Sequence, residues 1–221
     1  MTYSLSIEEA RAFYRDADSA HDFEHILRVM LMAERLARGE GGDVEIARAA
    51  ALLHDIARHD EDSLAKSGQA PGATQMDHAE VSANAAHAYL LQNGAEENFA
   101  ARVAEAIRSH RFRGMARPET LEAKILFDAD KLDSIGAIGV ARAYAICGLM
   151  NQKLWSEPKA DAVATRNQHN EGHTPMDEYH VKLKYLRERF FTASAKKIAV
   201  RRDAFMREFF EQLTREVRGE S

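Results

Sequence analysis

The stretch AAALLHDIARHD, residues 49–60, sets the tightest limit on how this chain can fold. Five apolar residues, Ala49 to Leu53, run directly into His54 and Asp55, and Ile56 and Ala57 are apolar again. The segment reads as a helix entering a core. A carboxylate carried into a core is costly unless something pairs with it or binds it. Either an arginine meets Asp55 while His54 bonds within the core, or a cation satisfies both.

The rest of the chain reads as helix. Residues 5–16 look like a short amphipathic helix. Asp18 or Ser19 caps the next, which carries HDFEHILRVMLMAERLAR and stops at Gly39, Gly41 and Gly42. Its apolar residues Phe23, Ile26, Leu27, Met30, Ala33 and Ala37 recur at helical spacing. Asp43 caps VEIARAAALLHDIAR, whose second half has little polar face, as in a core helix. Further helices are expected near 77–93, near 96–110, and from Pro118, placed in a first turn, to about 150 with a break at Gly136 and Gly139. Residues 151–177 read as an irregular loop, of the kind that often serves as a lid or binding loop. Two charged helices follow, about 177–191 and 193–218. No segment alternates like a strand, so the fold class is all-α.

The 221 residues are 45% hydrophobic and 29% charged, which suits one domain spanning 1–221: a core of about 18–150, the loop, and C-terminal helices over 177–218. A net charge of −5 argues against a nucleic-acid partner. The longest nearly apolar run, 137–150, is too short for a bilayer and contains Arg142, so no membrane partner is expected. A single cysteine, Cys147, and an N-terminus without a signal-peptide pattern point to a cytoplasmic protein. The stripe Phe190, Ala193, Ile198, Phe205, Phe209, Leu213 either packs on the domain or forms a homodimer seam.

Charge recurs inside apolar sequence at three places. In HDFEH, His21 and His25 are four residues apart and share a helix face. His54-Asp55 ends the buried helix. In DADKLDS, Asp128, Asp130 and Asp133 follow Ile125, Leu126 and Phe127. A third HD pair, His59-Asp60, opens a polar loop and reads as solvated. His25, His54, Asp55 and Asp130 together form a mixed nitrogen and oxygen donor set. It suits a divalent ion, Mn first, with Mg, Fe, Co, Ni and Zn as alternatives, and leaves positions for water and phosphate oxygens.

The ordered pattern H…HD…D on a helical chain resembles the HD-domain superfamily of metal-dependent phosphohydrolases. HDFEHILRV, ALLHDIA, DHAEVSA, AIRSHRF and DADKLDSIGAIGVARAYA resemble, in order, segments of a bacterial subgroup of stand-alone HD hydrolases. The tail KLKYLRERFFTASAKKIAVRRDAFMREFFEQL is similar to that subgroup's C-terminal helices. The resemblance implies an HD-domain helical bundle with a C-terminal helical extension. It also implies His25, His54, Asp55 and Asp130 as metal ligands, with Asp130 chosen over its neighbours because it precedes Lys131-Leu132. His78 and His110 stand where some members place a second metal or phosphate contacts.

The donor set points to metal-dependent hydrolysis of a phosphate ester or anhydride, and the subgroup resemblance implies a nucleotide substrate, a nucleoside triphosphate cut to a monophosphate and pyrophosphate. Asp130 would orient water or take its proton. His21 would neutralise developing phosphoryl charge, with Lys131, Arg28, Arg58 and Arg111 as further candidates. Lys131, His78, His110, Arg58 and Arg111 form the expected substrate-binding set. Trp155, Tyr179 and His180 are either base-stacking or packing residues. Two alternatives stand beside this reading. One is a two-metal phosphodiesterase or iron-dependent oxygenase on the same scaffold. The other is a non-catalytic nucleotide-binding helical module.

Overall fold

The computed structural model describes residues 4–14, 23–57, 78–110, 117–157 and 173–220, without the side chain of His78. They form nine α-helices and no strand: α1 (Ile7–Arg11), α2 (Phe23–Glu40), α3 (Val44–Leu53), α4 (His78–Gln92), α5 (Glu97–Arg108), α6 (Leu121–Leu132), α7 (Gly136–Leu149), α8 (Pro175–Val181) and α9 (Ala193–Val217). The all-α expectation holds. The chain divides into two compact units, Met1–Asp130 and Lys131–Ser221. No single helix among the described residues is long and apolar enough to cross a membrane.

In the first unit α3 is the centre. Ile46, Ala47, Ala49, Ala50, Ala51, Leu52 and Leu53 are all buried, so this helix is covered on nearly every side. Its neighbours are α2 and α5, with α1 and α4 touching it more lightly, and α4 packs along α5. Asp43 starts α3 as expected. Its Oδ1 accepts from Glu45 N at 3.1 Å and Ile46 N at 3.2 Å, satisfying donors that a helix start leaves open. The Asp43 N–H in turn donates to Glu122 Oε1 on α6 at 2.9 Å. Gly42 lets α6 approach: a Cβ there would stand 2.7 Å from Ile125 Cδ1. The cap of the central helix is thereby tied to the helix that carries Asp130.

In the second unit α7 packs against α9, and α8 and a 3₁₀ segment, Leu183–Arg189, pack beside them. A reciprocal capping box starts α8: Thr174 Oγ1 accepts from Asp177 N at 3.2 Å, and Asp177 Oδ2 accepts from Thr174 N at 3.0 Å. Gly136 opens α7 at φ +79°, a backbone region that favours glycine, and an added Cβ would meet Arg202 Cγ at 2.8 Å. The Arg202 guanidinium donates to the Leu132 carbonyl, and Asp133 pairs with Arg142 at 3.2 Å.

Two expectations need correction. Pro118 is not in a helix first turn; α6 begins at Leu121, where Thr120 Oγ1 accepts from Ala123 N, a capping role proline cannot fill. The stretch 177–191 is not one α-helix. Lys182 leaves helical geometry at φ −134°, and Leu183 and Leu186, three residues apart, are buried together by the threefold turn of a 3₁₀ segment. On α9 the buried row is Ala195, Ala199, Met206 and Phe210, while Ala193 and Phe205 are exposed. Of the expected stripe, Phe190 is buried, and Ile198, Phe209 and Leu213 are half-buried.

Asp43→Ala removes the α3 cap and should lower unfolding free energy by about 1 kcal/mol, measured by denaturant titration.

Candidate metal centre

Four helices deliver the polar residues of the first unit's core. His25 lies in the first turn of α2, His54 caps the end of α3 with Asp55 beside it, His110 follows the end of α5, and Asp130 sits in the last turn of α6. All five are buried. Three of these positions are helix C-terminal ends, where aligned carbonyl dipoles leave partial negative charge that favours a cation.

His25, His54 and Asp130 each turn a ligand atom to one place, with those atoms within 4.8 Å of one another. His25 Nε2 is 3.7 Å from Asp130 Oδ1, and the His25 and His54 ring centroids are 5.6 Å apart. Asp55 joins from the other side of His54. Its Oδ2 lies 3.6 Å from His54 Nε2, and its Oδ1 lies 3.4 Å from His110 Nε2. The His54 and His110 rings meet edge to face at 5.1 Å.

The hydrogen bonds set the imidazole tautomer. His54 Nδ1 is 2.8 Å from the Ala51 carbonyl, which can only accept, so the proton is on Nδ1 and the Nε2 lone pair is free to face the cluster. His110 is held in the same way, Nδ1 to the Ile107 carbonyl at 2.7 Å. Burial pushes the His54 pKa down to about 4, against the pull of the nearby Asp55 and Asp130 carboxylates. His54 is therefore neutral at pH 7, and its contact with Asp55 is a lone pair against a carboxylate. Among the described residues its buried Nε2 has no hydrogen-bond partner. An imidazole fixed through Nδ1 with its Nε2 lone pair aimed at carboxylates is what a metal-ligating histidine requires. The residues present fit a divalent ion.

The corner after α3 is held group by group. The Ala51 carbonyl accepts from His54, the Leu52 carbonyl accepts from the Tyr14 hydroxyl at 2.9 Å, and the Leu53 carbonyl accepts from Ile56 N at 3.4 Å. Ser82 Oγ on α4 accepts from Ala57 N at 3.2 Å. Burial, with the Asp55 carboxylate adding to it, drives the Tyr14 pKa well up, so the hydroxyl keeps its proton.

The structure brings together His25, His54, Asp55, His110 and Asp130. Lys131 follows Asp130 on α6 and is half-buried, as is Arg28 on α2. His78 begins α4. His21, Arg58, Arg111 and the His59-Asp60 pair lie outside the described residues. Tyr179 is committed elsewhere: its ring stacks on Phe210 at 4.4 Å and 22°, a packing contact of the second unit. Sequence reasoning missed Tyr14 and Ser82, because neither lies in a spaced motif and each reaches the corner only through the fold.

Known proteins show the same arrangement of chain. A family model described as HD domain matches residues 22–135. The protein YpgQ of Bacillus subtilis is 28% identical over 208 residues, 92% of this chain and 88% of that protein. A crystal structure of YpgQ in complex with ADP superposes with a TM-score of 0.69 at 25% identity, covering 98% of this chain and all of the other. A structure of a predicted HD superfamily hydrolase from an uncultured Thermotogales bacterium is 33% identical, covers 95% of this chain and 90% of that one, and has a TM-score of 0.64. A Bacillus thuringiensis HD-superfamily hydrolase is 27% identical over 96% of each chain, with a TM-score of 0.67.

A pH dependence follows from His54. Its folded pKa of about 4 lies below the ordinary imidazole value of 6.5, so the unfolded chain binds the extra proton between those values. This stability contribution is complete above pH 6.5 and is lost as pH falls towards about 4. Chelator-treated protein should lose stability on acidification through that window, and His54→Gln should flatten the slope in denaturant titrations at successive pH values.

Proposed function

The chain belongs to the HD domain family, and from that premise we propose that it is a metal-dependent phosphohydrolase of nucleotides, acting as a nucleoside triphosphate pyrophosphohydrolase. The observation that carries the reading is the buried Nε2 of His54, fixed as a lone pair among His25, Asp55 and Asp130. A divalent cation at that point would pair with the carboxylates and accept the His54 lone pair, which offsets the cost of burying them. The nucleotide class is supported by YpgQ, which has been crystallised with ADP and aligns over nearly the whole of this chain.

In this reading His25, His54, Asp55 and Asp130 hold the ion, Mn2+ first among the divalent candidates. When bound, the ion supplies Lewis acidity towards a phosphate oxygen and acidifies a water. The protein contributes positioning and proton handling. Hydrolysis breaks the bond between the α-phosphorus and the bridging oxygen, and water supplies the oxygen of the monophosphate. The proton released needs a base at hand, the role given to Asp130. His21 and Lys131 neutralise phosphoryl charge, with Arg58 and Arg111 as further cationic contacts and His78 and His110 as polar contacts to phosphate. A reducing, cytoplasmic setting suits Cys147, which is buried with its thiol directed at the Gln152 and Lys153 carbonyls.

One observation favours a second reading. The Asp55 carboxylate turns one oxygen to His54 and the other to His110, an arrangement able to bridge two ions. Metal analysis of protein purified without chelator separates the two: one ion per chain supports the first, two ions the second.

With Mn2+ and a panel of nucleoside triphosphates, the protein should release monophosphate and pyrophosphate. Activity should vanish with chelator and return with Mn2+. His54→Ala or Asp55→Ala should lower kcat/KM by about 10³-fold or more, some 4 kcal/mol of barrier, while circular dichroism stays helical. Turnover surviving both substitutions would sink the ligand assignment.

A further inference from the structure

The N-terminal segment lies outside the stretch that the HD family model matches, which begins at residue 22. It nevertheless reaches both histidine-bearing helices of the proposed metal centre. The capping box of Ser6 with Glu9 starts α1, and Ala12–Tyr14 continues it as one 3₁₀ turn. This turn places Tyr14 at the end of α3. There its hydroxyl donates to the Leu52 carbonyl, two residues before His54. The same ring lies 5.7 Å from the ring of Phe23, two residues before His25. Arg11 covers Phe23, its guanidinium 4.3 Å from the ring centroid.

We propose that Tyr14 is a positioning residue for the metal centre, setting the spacing between His25 and His54 by holding the first turn of α2 and the last turn of α3 at once. The inference rests on the reading of His25, His54 and Asp130 as metal ligands. Its physical basis is the helix end. The last carbonyls of a helix have no intrahelical donor and are free to tilt towards any that approaches. At α3 the Ala51 carbonyl fixes the His54 ring, so the direction of the neighbouring Leu52 carbonyl is coupled to where Nε2 points. Tyr14 supplies the donor from a residue 38 positions away, and its ring stops Phe23 from moving independently. Groups that orient a ligand from outside the coordination shell typically change metal affinity by 10–100-fold when removed.

The test is calorimetric titration of Mn2+ into chelator-treated full-length protein, beside thermal melting of the same metal-free samples. Tyr14→Phe keeps the ring and deletes only the hydroxyl. It should weaken Mn2+ binding roughly tenfold. An unchanged Kd in a variant that melts earlier without metal means Tyr14 merely stabilises the fold, and overturns the inference alone. Wild-type protein that binds no Mn2+ overturns the metal-site reading and this inference with it. If Tyr14→Phe does not fold, Phe23→Leu, which removes the ring contact while keeping an apolar side chain, is judged by the same Kd: a rise supports the inference and an unchanged value overturns it.

Discussion

A neutral histidine with an unshared electron pair, sealed in a helical core against two carboxylates, is the constraint on which the first unit turns. Nδ1 of His54 spends its proton on its own helix, at Ala51, and this leaves Nε2 facing Asp55 across 3.6 Å. Neither group can satisfy the other. Every helix that ends near this point contributes something to the imbalance: Asp130 from α6, His25 from α2, His110 from α5. Without an ion the arrangement is a local cost. With one, ligand binding to the folded state alone returns stability by mass action.

That cost explains why the surroundings are so heavily tied. The Asp43 cap anchors α3 to Glu122 of α6 at the far end from the cluster. The end nearer the cluster is held by Tyr14 from one side and Ser82 from another. Between them α3 is nearly all small or branched apolar residues, which let neighbouring helices approach closely. A centre of this kind cannot be soft, because a ligand displaced by a fraction of an ångström loses much of its interaction with an ion.

Much of this was legible beforehand, for physical reasons that differ residue by residue. His54-Asp55 announced itself because charge inside an apolar helix has few solutions. Asp43 and Gly41 announced themselves because helix ends have strict chemistry; Gly41 takes a positive φ. Asp130 was singled out from Asp128 and Asp133 only through its likeness to a family. All three carboxylates are buried, and Asp133 is drawn to Arg142 instead. On α9 a long charged helix offers more than one apolar phase, and packing buries the row Ala195, Ala199, Met206 and Phe210.

By itself the sequence determined an all-helical chain, the position of its central helix and the pairing of a histidine with a carboxylate at that helix's end. These depend on periodicity, capping and burial, which are local properties of the chain. The tertiary structure decided the rest: which nitrogen of His54 faces the cluster, that His110 shares Asp55 with it, and that Tyr14 reaches across 38 residues to close the helix end. Those are matters of direction and distance between groups far apart in sequence, and no spacing along the chain encodes them.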